Sequence, residues 1–120
     1  MSICVAVTDS KEGIAALEAA AIEAVQFDVP LVAVNLTGSE LDTSALAPEV
    51  KYEVVVPGGP SDLDEVEQVL SVVESHPEVT RLVVGVRKRS PLGKVVLGSI
   101  AQRLILDAPV PVLSVKAADA

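Results

Sequence analysis

The chain has almost no aromatic side chains: one Phe, one Tyr and no Trp among 120 residues. Proteins that hold single-stranded nucleic acid stack bases on aromatic rings, and Phe27 and Tyr52 are too few for such a platform. Positive charge is also scarce. Nine Lys and Arg stand against seventeen Asp and Glu, for a net charge of -8, which repels a polyanion. No nucleic-acid partner is expected. The single cysteine, Cys4, permits no intrachain disulfide and no cysteine-rich metal site, and in the first apolar run it reads as a buried thiol. The single histidine, His76, leaves no His/Cys cluster, so no metal site is expected. No apolar stretch nears the roughly 20 residues that span a bilayer. The first ten residues, MSICVAVTDS, carry no basic run and no cleavage pattern. The expectation is a soluble cytoplasmic protein with no membrane partner.

What is there is apolar and periodic. Half the residues are hydrophobic, enough for the core of one domain over residues 1–120. Apolar runs rich in β-branched residues alternate with segments of helical period. Ile3–Val7, Pro30–Asn35, Tyr52–Val56, Val79–Val84 and Val110–Val115 read as five strands. Ile14, Leu17, Ala21, Ile22 and Val25 recur at three- and four-residue spacing and predict the inner face of a first helix. A second helix is expected after Pro57-Gly58-Gly59-Pro60. Ser61 would be its N-cap, Asp64 would stand at the capping-box position, and Leu63, Val66, Val69, Leu70 and Val73 would form its apolar face. It ends near His76-Pro77, where His76 reads as a C-terminal cap rather than a general base. A third helix is predicted from about Ser99 to Asp107. Residues 37–50 read as a loop with at most one helical turn.

Strands separated by helices predict an α/β fold: a single doubly wound domain whose five-stranded, mainly parallel sheet carries helices on both faces. In such sheets ligands bind beyond the carboxyl ends of the strands, where the strand order reverses. Thr8-Asp9, Asn35-Leu36 and the segment from Gly85 all leave strand carboxyl ends and are expected to meet in one crevice.

The segment Gly85–Ser99, GVRKRSPLGKVVLGS, gathers Arg87, Lys88, Arg89 and Lys94 in an otherwise acidic chain. Strand, glycine, basic loop and helix N-terminus together offer a phosphate group positive charge and free N–H donors. The bland alternative is a solvated charge run between ordinary turn glycines. The segment is no Walker loop, since Val95 follows Gly93-Lys94 where Ser or Thr would hold magnesium. Asp9 has two readings, which can hold at once. It or Ser10 caps the first helix, or its carboxylate accepts hydrogen bonds from a ribose hydroxyl or an adenine amino group.

From Gly85 to Gly98-Ser99 the chain resembles the universal stress protein family, whose signature is a glycine, two residues, a glycine, nine residues, then glycine and Ser or Thr. The flanking LVVG and SIAQRLILDAPVPVLSV fit as well. One position departs: Lys88 stands where the signature has its second glycine. The resemblance implies binding of ATP or AMP, with or without Mg. Asp9 would lie near ribose and adenine, Val34 would line the adenine pocket, and Gly85, Arg87, Gly98 and Ser99 would lie along the phosphates. Lys88, Arg89, Ser90 and Lys94 would be further contacts. It also implies a homodimer through the apolar C-terminal strand, where Pro111 suits a sheet edge.

No catalytic residues are expected, because no base stands ready to activate water. Three functions follow. The first is a nucleotide-binding stress-response regulator that is not an enzyme. The second is a dimeric protein-interaction module of the same fold with no nucleotide. The third, ranked last, is a slow ATP hydrolase.

Overall fold

The computed structural model describes residues 1–57, 64–89, 94–96 and 98–117. Among the described residues nine elements follow one another: β1 (Ser2–Thr8), α1 (Lys11–Phe27), β2 (Leu31–Leu36), β3 (Tyr52–Val55), α2 (Glu65–Ser75), β4 (Val79–Arg89), β5 (Lys94–Val96), α3 (Ser99–Asp107) and β6 (Val112–Lys116). Five strands pair in parallel in the order β3-β2-β1-β4-β6. The order reverses between β1 and β4. The expected α/β doubly wound domain, with its five-stranded parallel sheet, is what the chain forms.

The period of two along each strand divides the core. Cys4, Ala6, Val32, Val34, Leu82, Val84 and Val86 face one side, with Val66, Val69 and Val73 of α2 and Ala101 and Leu104 of α3. Ile3, Val5, Val7, Leu31, Ala33 and Val83 face the other, with α1. Helices therefore cover both faces, and strands buried on both faces read as continuous apolar runs.

Three expectations are corrected. The buried face of α1 is Gly13, Ala16, Leu17, Ala20, Ala21 and Ala24. Ile14, Ile22 and Val25 are exposed, so the larger side chains point outward. Close packing decides this. A Cβ on Gly13 would stand 2.8 Å from Thr8 Oγ1 and closer still to the Thr8 carbonyl, so α1 lies against the sheet through its smallest residues. Second, α2 begins later than its predicted cap. Asp64 is the N-cap, its side chain accepting from the Glu67 N–H at 2.9 Å. Ser61 and Leu63 lie outside the described residues. Third, the basic segment is not all loop. Strand β4 runs on to Arg89 and turns back antiparallel as β5, with Arg87 opposite Val96 and Arg89 opposite Lys94. Residues 37–50 form no helix, as expected.

Candidate functional site

A cavity of about 330 Å³ opens at the carboxyl ends of β1 and β4. That is where the strand order reverses, the usual ligand position in an open parallel sheet. Ala6, Thr8, Asp9 and Ser10 supply one wall, Val84, Gly85 and Arg87 the second, and Gly98, Ser99, Ile100, Ala101 and Leu104 the third; Glu12 closes one corner. Five predicted site residues far apart in sequence thus meet: Asp9, Gly85, Arg87, Gly98 and Ser99.

The cap of α1 is the neighbour of Asp9. Ser10 caps α1, its hydroxyl accepting from the Gly13 N–H at 3.0 Å and sharing a 2.7 Å hydrogen bond with Thr8 Oγ1. Asp9 is exposed and has no hydrogen-bond or ion-pair partner among the described residues. Its carboxylate stands on the cavity wall with its acceptors open.

The third wall is a helix N-terminus. Gly98 is the N-cap of α3 and provides no side-chain cap. The first intrahelical bond runs from the Gln102 N–H to the Gly98 carbonyl, so the N–H groups of Ser99, Ile100 and Ala101 precede the helical ladder. These donors and the positive end of the helix dipole face the cavity. A Cβ at Gly98 would meet nothing within 4 Å, so the position is open rather than crowded.

On the second wall Arg87 Nε donates to Glu12 Oε2 at 3.2 Å. Glu12 was not foreseen. The sequence offers only an acidic residue in the first turn of α1, which reads as ordinary helix-dipole matching.

Val34 does not line this cavity. It is fully buried in the core on the α2 and α3 side, one strand away, in register with Ala6. Asn35 is elsewhere too. Its side chain ties the next turn, donating to the Ser39 carbonyl at 2.7 Å and accepting from the Thr37 N–H at 3.0 Å. Lys88 is extended strand backbone paired with Val95. Asp28 is the single non-glycine residue with positive φ among the described residues, so the Lys88 backbone lies in a region open to any side chain. Ser90 falls outside the described residues.

The opposite end of the sheet holds His76, the C-cap of α2. Its Nδ1 lies 2.8 Å from the Val72 carbonyl and its Nε2 3.4 Å from Glu53 Oε1. The Val72 carbonyl raises the imidazole pKa, with help from Glu53 and Glu78 and against partial desolvation. Among the described residues no group of His, Cys, Asp and Glu could hold a metal ion. No described helix is long and apolar enough to cross a membrane.

An open parallel sheet, helices on both faces and a cavity at the reversal of strand order define a doubly wound α/β domain. Residues 62–116 match the model of the universal stress protein family. A universal stress protein of Mycolicibacterium smegmatis is 46% identical over 67 residues, 56% of this chain and 48% of that protein. The chain therefore spans about half the length of this curated relative. The solved universal stress protein of Archaeoglobus fulgidus superposes with a TM-score of 0.74 at 27% identity, over 97% of this chain and 98% of its own. A second structure from that organism, in complex with dAMP, gives a TM-score of 0.70 at 23% identity over 97% and 98%. Family model, curated relative and whole-chain likeness all indicate the universal stress protein family.

Proposed function

We propose that the cavity at the end of β1 and β4 binds an adenine nucleotide, ATP or AMP, and that the protein acts as a nucleotide-responsive regulator in the cytoplasm rather than as an enzyme. The observation that carries this is the convergence of the uncapped N-terminus of α3 with Arg87 and an unpartnered Asp9 on one cavity. The helix end and the guanidinium suit a phosphate. Asp9, a pure acceptor when ionised, suits a ribose hydroxyl or an adenine amino group. Gly85, Gly98 and Ser99 would follow the phosphate. Lys88 would add charge where the family signature has glycine. A likeness in fold to a protein solved with dAMP supports the choice of adenine. Val34 would act only from behind the wall. Mg would enter with ATP, carried by the phosphates.

A homodimer through β6 belongs to the same proposal. This strand pairs with β4 on one side only among the described residues, and it presents Val112, Leu113 and Val115 half-buried. An edge strand of this kind invites a second chain.

A second reading has its own observation. Ile14, Ile22, Val25 and Phe27 are all exposed on α1, which suits a protein-interaction module working without nucleotide.

A thermal-shift titration separates the two. Ligand at about 100 times its dissociation constant adds roughly 2.7 kcal/mol, which moves a domain of this size by at least several degrees. A rise with AMP or ATP is expected. No rise with either at millimolar concentration overturns the nucleotide reading and leaves the interaction module.

A further inference from the structure

Three side chains of known placement bring full charge to the cavity wall: Asp9, Glu12 and Arg87. Arg87 donates from Nε to Glu12 Oε2 at 3.2 Å; its side chain is 58% exposed, whereas that of Glu12 is only 14% exposed. The place of Glu12 is fixed from beneath. Gly85 and Arg87 lie two residues apart on β4 and so share the face turned to α1. The missing side chain at Gly85 lets the first turn of α1 press onto the strand. A Cβ there would stand 2.9 Å from Glu12 Cβ and nearer still to the Glu12 carbonyl. The backbone at Glu12 is therefore held against β4, and its carboxylate is kept beside Arg87.

The result is a wall with two carboxylates and one guanidinium, and one edge of that guanidinium already has its anion. Opposite stands the N-terminus of α3, equivalent to about half a positive charge. One phosphate group can sit at the helix end and take the free edge of Arg87. A chain of three brings added negative charge to the same wall as the Glu12 carboxylate, which is partly dry, so that like charges repel more than in water.

Resting on the adenine-nucleotide reading above, we propose that Glu12 is the specificity-determining residue of this site, a fixed carboxylate that selects nucleotides with one phosphate over those with three. It occupies the Arg87 edge that a polyphosphate would need, and it repels the extra phosphates. Gly85 is what puts it there.

The test is calorimetric titration of the full chain and of Glu12→Gln with adenosine, AMP and ATP, in chelator so that no divalent cation masks phosphate charge. The wild type should bind ATP about tenfold more weakly than AMP, and Glu12→Gln should raise the ATP-to-AMP affinity ratio by about tenfold. A ratio that stays put, or one that falls, overturns the proposal. Should Glu12→Gln lose its cooperative thermal transition, the wild-type order decides alone, and ATP binding as tightly as AMP overturns it. If the wild type binds neither adenosine nor any nucleotide, the adenine reading fails and this inference with it. Adenosine and AMP binding with an unmoved ratio sinks the inference alone.

Discussion

Gly85 and Glu12 touch where no side chain could intervene. The α-carbon of Gly85 on β4 lies so close to the first turn of α1 that a Cβ would stand 2.9 Å from Glu12 Cβ and nearer to its carbonyl oxygen. The obstacle includes backbone, so it does not move aside cheaply. Gly85→Ala is expected to destabilise the fold by about 1–3 kcal/mol, the usual range for overpacking. It should also weaken ligand binding, because α1 must back away from the cavity corner. Urea unfolding checks the first claim; a midpoint equal to wild type would contradict the close approach.

Arg87 holds its carboxylate at 3.2 Å across the cavity corner, yet more than half of its side chain is exposed. Exposed ion pairs contribute about 0–1 kcal/mol. Arg87→Ala should therefore leave the melting temperature within a few degrees of wild type while lowering AMP affinity by about tenfold or more, the loss of a charge-assisted phosphate contact. An unchanged affinity would move the phosphate away from Arg87.

Cys4 is fully buried on β1, and burial pushes its thiol pKa up to about 12. At pH 8 about one thiol in ten thousand is then ionised, and it is covered as well. Native protein should resist an alkylating reagent that labels the denatured chain quickly. Rapid native labelling would show that β1 opens.

The His76 pKa is raised above its ordinary value of 6.5, chiefly by the Val72 carbonyl that takes its Nδ1–H. A raised folded-state pKa stabilises the protonated form. The contribution is full below the ordinary imidazole value and is lost as pH rises through the raised one. Stability should therefore fall slightly as pH rises above the ordinary imidazole value of 6.5 and through the raised one, and His76→Gln should flatten that slope. Urea midpoints across the range decide it. A slope that survives the substitution would assign it to other groups.

Much of this architecture was legible because β strands buried on both faces write themselves as unbroken Val, Ile, Leu and Ala. The strands and the helical segments could be placed from that pattern, whereas the reversal of strand order between β1 and β4 came only with the structure. The inner face of α1 was misread for a physical reason. Side-chain size marks Ile14 and Ile22 for burial, whereas Gly13, Ala16, Ala20 and Ala24 are inside because the helix packs too closely for larger residues. The cap of α2 was assigned three residues early, since Ser61 and Asp64 both suit an N-cap and only geometry separates them. The meeting of Asp9, Gly85, Arg87, Gly98 and Ser99 followed from strand ends and a glycine-spaced signature. Glu12 left no such trace. Its role depends on a contact between residues 73 positions apart in sequence, made possible by a glycine whose absent side chain no local pattern explains.

Gly98→Asp tests whether a phosphate sits at the open N-terminus of α3. A side chain at Gly98 has free space, with nothing within 4 Å of its Cβ, and Asp is a good N-cap. The variant should keep or slightly raise the stability of the fold, by up to roughly 0.5 kcal/mol. Its carboxylate would take the free N–H groups of α3 and face the phosphate with negative charge. Calorimetric titration of wild type and Gly98→Asp with AMP, side by side, should give binding in the first and none in the second. Equal affinity in the two proteins, both folded, would contradict the account.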